Sequence, residues 1–292
     1  MTILILPCTL DNYSPQSASR RFRADWPAKY WPEADVYPDK RLAWTSYDGY
    51  IFQKAYLTEK PNKMIRTLRS LDKVLAFDLC DADWLLSDQH LKILMQTLPL
   101  FDFAVCPTEP IREWLEGWLP AYVIPDRLDM ELFTEQHEHR RHKPDLVWFG
   151  YRHNLPAIMP FLDIVHENRL WLHIVTNGFD EMIGDDMHTI WIEWSQEGEH
   201  EEIAKCDIAL CPPASQYKSD NRAKTALTLG LVVAKTVGEL KHALALHPHE
   251  RKALAAQQRR QMEDRSGLDV RASVKQWREL FMIKREKMDN ER

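Results

Sequence analysis

The sequence predicts an α/β protein, two Rossmann-like domains facing each other across a cleft. Three observations predict it. Short apolar runs of strand length alternate with helix-length amphipathic stretches. A wholly polar tract, "TEQHEHRRHKPD" (134–145), interrupts the alternation near mid-chain. The alternation then restarts in the same order, and such alternation makes parallel sheets covered on both faces.

Strands are expected in the first half at 3–7, 49–53, 74–77, 103–106 and 122–124, with helices over 61–71, 87–98 and 109–118. This gives a first domain over 1–135 and a linker over 136–144. His137, His139 and His142 in the polar tract are read as solvated, because nothing else supplies a fourth metal ligand; no metal site is expected. The second domain, 145–265, starts with "DLVWFG" (145–150), followed by a helix near 155–166. Further strands are expected at "LWLHIVT" (170–176), "TIWIEW" (189–194), "DIALCP" (207–212) and "LVVAK" (231–235). In the last segment, 266–292, Val270, Val274, Trp277, Leu280 and Phe281 recur at helical spacing and predict a closing helix that packs one face.

The 292 residues are 45% hydrophobic and 28% charged, enough for a sizeable core. No apolar run approaches the ~20 residues of a membrane span, and "MTILILPCTLDNY" reads as a first strand, not a signal peptide. The five cysteines are odd in number and form no C-x-x-C pair, so a reduced, cytoplasmic protein is expected. The net charge of −6 argues against a generic nucleic-acid coat protein, but it is unevenly spread. Residues 1–73 hold 12 Lys/Arg against 8 Asp/Glu, and residues 74–135 hold 3 against 12, so a local basic face remains open.

"YKSDNRAKTALTLGLVVAKTVGEL" (217–240) puts Lys218, Ser219, Asn221 and Arg222 at the head of a helix aimed at an apolar strand. A helix start offers unpaired N–H groups and a positive dipole end, which suit an anion. The alternative is an ordinary helix capped by Ser219 or Asp220. Taken with "WSQEGEHEEIAKCDIALCPP" before it and "LVWFGYRHNLPAI" (146–158), this stretch resembles the donor-binding half of GT-B glycosyltransferases of the family 4 type. The likeness covers 145–240 well and the first half only by architecture.

The resemblance implies a nucleotide-sugar donor, UDP-glucose or similar, and no metal requirement. The donor site it implies comprises Gly150, Arg152, Asn154, Trp194, Lys218, Ser219, Asn221 and Arg222. Gly150 would admit the diphosphate to the backbone, and the amides of residues 152–154 would cap it. Arg152 and Lys218 would meet the charge that grows on the leaving group. Many relatives carry two glutamates where Tyr217 and Thr225 stand here, so ribose binding must differ, with Asn221 the candidate. That departure leaves open a non-catalytic, GT-B-like binding protein.

On the acceptor side, "SASRRFRADWPAKYW" (17–31) interleaves Arg20, Arg21, Arg23 and Lys29 with Phe22, Trp26, Tyr30 and Trp31. As a loop over the cleft it would suit phosphate contacts and base stacking; as an amphipathic helix it would bury the aromatics. Lys54 joins it from a strand end. Asp78, then Asp81, is the expected base for an acceptor hydroxyl. The acceptor expected is a 5-hydroxymethylated pyrimidine in phage-type DNA, with a bacterial glycan or lipid-linked sugar as the alternative. Oligomeric state is not readable.

Overall fold

Runs such as ILIL and VLAFD have no polar face to offer water, so they are stable as strands covered on both sides. The computed structural model describes residues 1–7, 17–54, 59–134, 136–178 and 188–291; Cys8 lies outside them. In it these runs form two all-parallel sheets. Met1–Leu128, Gln216–Ser219 and Asp269–Arg292 make one compact unit, and Asp129–Ser215 with Asp220–Leu268 the other.

The first unit's strands are β1 (Ile3–Leu6), β2 (Ala34–Val36), β3 (Gly49–Gln53), β4 (Val74–Asp78), β5 (Phe103–Cys106) and β6 (Ala121–Val123). Their spatial order is β2-β1-β3-β4-β5-β6. One face is covered by the helices Glu59–Ser70, Asp88–Thr97 and Glu109–Leu115, which contribute Ile65, Leu68, Leu94, Ile111 and Leu115 to the core. The other face receives Ala24 and Trp31 from the chain between β1 and β2, and Val274, Trp277 and Phe281 from the helix Val270–Asn290. Asp269 caps that helix by accepting from the Arg271 N–H at 2.8 Å. Each large side chain so buried stabilises by about 1.5–3 kcal/mol. The approach is close: a Cβ on Gly49 would lie 2.6 Å from the Phe281 ring.

One feature differs from expectation, and one alternative left open by the sequence is decided. β2 was not foreseen, being three residues without a strand-like apolar run. The basic and aromatic stretch is helical, Ala18–Arg20 and Trp26–Lys29 flanking a π-turn over Arg21–Asp25. Phe22, Trp26 and Trp31 are buried there, as are Arg21 and Arg23. The aromatics belong to the core and do not stand out for bases to stack on.

The second unit contains β7 (Leu146–Phe149), β8 (Leu172–Thr176), β9 (Thr189–Glu193), β10 (Ile208–Leu210) and β11 (Val232–Ala234), ordered β11-β10-β7-β8-β9. Numbered within the unit this is the Rossmann order 3-2-1-4-5, which reverses direction between β7 and β10. The helices Met159–Glu167, Val237–Ala245 and Pro248–Ser266 pack Phe161, Ile164, Leu240 and Ala255 on one face. Glu199–Ala204 and Asn221–Thr228 pack Ile203, Ala223, Ala226 and Leu227 on the other.

The tract 136–142 is not a uniformly solvated linker. Gln136, Glu138 and Arg140 face solvent, whereas His139 is buried and His137 half-buried. The His137 N–H donates to the Leu229 carbonyl at 2.7 Å, and Gly230 makes room for it. Gly230 has φ +89°, and a Cβ there would lie 3.3 Å from the His137 backbone. His142 is exposed, as expected. Among the described residues no helix is long and apolar enough to cross a membrane, and Cys80, Cys106, Cys206 and Cys211 are buried free thiols.

Candidate functional site

In sheets of this kind ligands settle beyond the carboxyl ends of the strands, where the strand order reverses. In the second unit that point lies between β7 and β10. Gly150 follows β7 with φ +142°, a backbone that side chains rarely adopt, and a Cβ there would touch the Arg222 side chain at 3.5 Å. Pro212 lies just beyond β10, and its carbonyl accepts from Arg222 Nη2 at 3.3 Å. The Arg222 guanidinium therefore spans the reversal point, its carbon 5.7 Å from the Trp148 ring centre. Its Nη1 is buried and has no hydrogen-bond partner among the described residues. A buried, charged donor left unsatisfied is costly, and here it lies beside Gly150, where the backbone carries no side chain.

The neighbouring amides are less available than expected. Residues 152–158 form a 3-10 helix, not the start of an α-helix. The Arg152 N–H donates to Asn177 Oδ1 at 3.1 Å, and the Asn154 N–H to the Tyr151 carbonyl. Two of the three amides assigned to the anion are thus engaged, and Asn177, just after β8, ties its segment to the Gly150 loop. Asn221 is the first residue of its helix, capped by Asp220 without a side-chain cap bond. The Asp220 carboxylate turns to Arg265 at 2.6 Å and to Lys224 at 3.3 Å. Trp194 is half-buried against the core that holds Phe149 and Val175. Of the two positions where relatives carry glutamate, Thr225 is buried and Tyr217, in the first unit, sets its ring 5.2 Å from Trp84. Both are packing residues.

The first unit gathers a second set of charges beyond β3 and β4. Lys54 follows β3 with φ +49°, uncommon for a residue with a side chain. Its Nζ donates to Asp81 Oδ2 and lies 3.4 Å from Asp83 Oδ2. The Lys218 Nζ, on the segment 216–219 that packs with this unit, donates to Asp81 Oδ1 at 2.6 Å. Asp81 thus holds one lysine on each oxygen. Burial would raise its pKa, but the charges and hydrogen bonds of Lys54 and Lys218 prevail and lower it below the usual carboxylate range. Burial opposes the Lys54 charge as well; Cys80, Asp83 and Asp81 overcome it and raise its pKa. Asp83, more weakly paired, is pushed up by burial. Lys218 is the exposed member of the set.

Asp78 is placed differently. It is fully buried, and Arg23 grips both of its oxygens, Nε at 3.2 and 3.0 Å and Nη2 at 2.6 Å. Arg23 Nη1 donates to the Ile124 carbonyl at 2.6 Å and lies 3.3 Å from Asp126. Burial opposes the guanidinium charge, but Asp78 and Asp126 outweigh it and raise the Arg23 pKa. The pair is an interior tie between the helical stretch and β4. Asp78 has no route to an acceptor hydroxyl, and Arg23 none to a phosphate. Arg20 is bound to Asp25, Nε lying 3.1 Å from both oxygens. The Arg21 guanidinium carbon lies 5.7 Å from the Trp26 ring centre. Of the expected acceptor residues, only Lys54 joins the charged set around Asp81. The ties from Arg23 to Asp78 and from Lys218 to Asp81 were beyond sequence reasoning, since the partners lie 55 and 137 residues apart.

No family model matches this chain, and no curated protein does. Solved structures do resemble it. Anabaena HepE, in complex with UDP and glucose, is 12% identical with a TM-score of 0.70, covering 97% of this chain and 99% of that one. T4 phage BGT, in complex with its UDP-glucose substrate, is 9% identical with a TM-score of 0.62 and the same 97% and 99% coverage. The UDP-forming α,α-trehalose-phosphate synthase of Burkholderia xenovorans, in complex with glucose-6-phosphate, is 12% identical, with a TM-score of 0.55 over 80% of this chain and 74% of that one. The fold is GT-B. At such low identity the likeness speaks to fold, and function has to be argued from the residues.

Proposed function

We propose that the chain is a glycosyltransferase that moves a hexose from a UDP-sugar to an acceptor hydroxyl. The observation that carries this reading is the unsatisfied Arg222 Nη1 beside Gly150 at the β7/β10 reversal point. A diphosphate is the ligand that such a donor and such a backbone would take. The end-to-end likeness to HepE and BGT, whose structures hold UDP and UDP-glucose, supports the same donor.

In this reading the acceptor O–H gives its proton to Asp81 and its oxygen forms the new bond to the anomeric carbon. The bond from that carbon to the diphosphate breaks, and UDP leaves with the electron pair. Lys218 and Arg222 meet the growing charge on the leaving group, so no metal is needed. Ser219 and Asn221 hold the ribose. Asp81 between two lysines is a weak base at rest. A diphosphate that draws Lys218 away removes one of its two cations and raises its basicity when the donor is in place.

The burial of Arg23, Phe22, Trp26 and Trp31 takes the basic, aromatic stretch away from DNA, which favours a glycan hydroxyl as acceptor. A second reading, a 5-hydroxymethylated pyrimidine in DNA, is favoured by the likeness to BGT over 99% of that chain.

The test is transfer from labelled UDP-sugars to a glycan panel and to plain and hydroxymethylated DNA, with UDP binding measured by calorimetry. We expect micromolar UDP binding, weakened at least about tenfold in Arg222→Ala, and label in one acceptor class at a rate unchanged by added Mg²⁺. UDP binding without transfer or hydrolysis from any donor would leave a binding protein. No UDP binding would overturn the proposal.

A further inference from the structure

The second unit holds a cluster that the transfer reading does not use. His137 and His139 come from the tract 136–142, and Asp207 from the start of the β10 segment. The Asp207 and His139 side chains are fully buried, and the His137 side chain is 12% exposed. His137 Nδ1 lies 2.7 Å from the Ala204 carbonyl, and His139 Nε2 lies 3.0 Å from the Gly230 carbonyl. A carbonyl can only accept, so each of these nitrogens carries the hydrogen. The tautomers are thereby fixed, and in neutral rings the two remaining nitrogens present lone pairs. Both point at one atom: His137 Nε2 is 3.1 Å and His139 Nδ1 3.2 Å from Asp207 Oδ1. The other carboxylate oxygen accepts the Asp145 N–H at 3.1 Å.

Two imidazole lone pairs converging on a carboxylate oxygen repel unless positive charge lies between them. Two protons or one dication would supply it. In neutral rings neither gap holds a proton. The outer hydrogen bonds to backbone carbonyls are the arrangement that orients metal-bound histidines. The three ligand atoms lie within 4.8 Å of one another. The two nitrogen–oxygen separations are near the ~3.3 Å edge of a tetrahedron with ~2.0–2.1 Å bonds; an ion would draw the rings together. An open groove of about 430 Å³, lined by His137, Glu138, Glu201 and Lys205, reaches the cluster at His137.

We propose that His137, His139 and Asp207 bind one divalent transition-metal ion, zinc being the best match to two imidazoles and a carboxylate. The ion latches the tract 136–142 onto the second unit. The site is structural, in contrast to the absence of metal expected from sequence, and it does not rest on the transfer reading.

The test uses the full chain without a polyhistidine tag, stripped by chelator and then titrated with Zn²⁺ or Co²⁺ alone. Expected are one ion per chain, the 500–650 nm absorption of tetrahedral Co²⁺, and a rise in melting temperature with Zn²⁺. His139→Asn should weaken Zn²⁺ binding by more than about 100-fold, whereas His142→Asn should leave it unchanged. His137→Gln, at the groove rim, tests the same loss in a variant less exposed to misfolding. Failure of the wild-type chain to take up either ion at micromolar concentration would overturn the site. So would uptake that survives His139→Asn and His137→Gln, or metal-free stability that climbs as the pH falls from 8 to 6, which would give the gaps to protons.

Discussion

Arg23→Met is the substitution that best separates structure from chemistry in the first unit. It removes the guanidinium from Asp78, which is fully buried, and leaves a carboxylate without its bidentate partner. Removing one member of a buried ion pair costs about 3–5 kcal/mol, because the other charge remains desolvated. For a protein of this size each kcal/mol moves the melting temperature by about 2–4 °C, so a drop of roughly 10 °C is expected. Asp78→Asn should cost less, since Arg23 keeps Asp126 and the Ile124 carbonyl. The double variant Arg23→Met/Asp78→Leu removes both charges of the pair and should recover part of the loss, Asp126 having lost Arg23 as well, with a coupling energy of about 2 kcal/mol. The assay is thermal and urea unfolding followed by tryptophan fluorescence, with turnover measured well below each midpoint. Asp78→Asn should keep turnover within several-fold of wild type. If it instead unfolds with the wild-type midpoint while turnover collapses, the interior-tie argument is wrong and Asp78 is the base.

Three further outcomes follow from the geometry. Lys218→Ala should cut kcat by about 100-fold or more through lost leaving-group charge and leave the unfolding midpoint within about 0.5 kcal/mol, since the lysine is exposed. Because Lys54 and Lys218 hold Asp81 low in the free chain and the donor diphosphate would draw Lys218 off, the acid limb of the kcat–pH profile should lie above that of kcat/KM; coincident limbs would remove Asp81 as the base. Gly230→Ala puts a side chain at φ +89° and 3.3 Å from the His137 backbone; urea unfolding should show a loss of about 1–3 kcal/mol.

The strand–helix alternation made both sheets readable because strands buried on both faces are written as uninterrupted apolar runs. Gly150 and Arg222 could be singled out for a similar reason: glycine and arginine at a strand end and a helix head carry local chemistry. Arg23, Phe22 and Trp26 were misleading because residue type records polarity and not destination. An arginine reads as surface until its carboxylate, 55 residues on, is in view. His137 and His139 did carry a local signal, alternation with Gln136, Glu138 and Arg140 at the two-residue period of an extended chain. Their partner Asp207 lies 70 and 68 residues away and could not be read.

The first and last segments of the chain share a unit, and this shapes how the protein must assemble as it is made. Ile3, Ile51 and Phe103 leave the ribosome early, yet Trp277 and Phe281, which cover that face, come last. The second unit is complete once residue 268 has emerged, before the first has its lid. A nascent chain halted there would hold a finished second unit and a first sheet still partly bare on one face, the moment at which a chaperone would find most to bind.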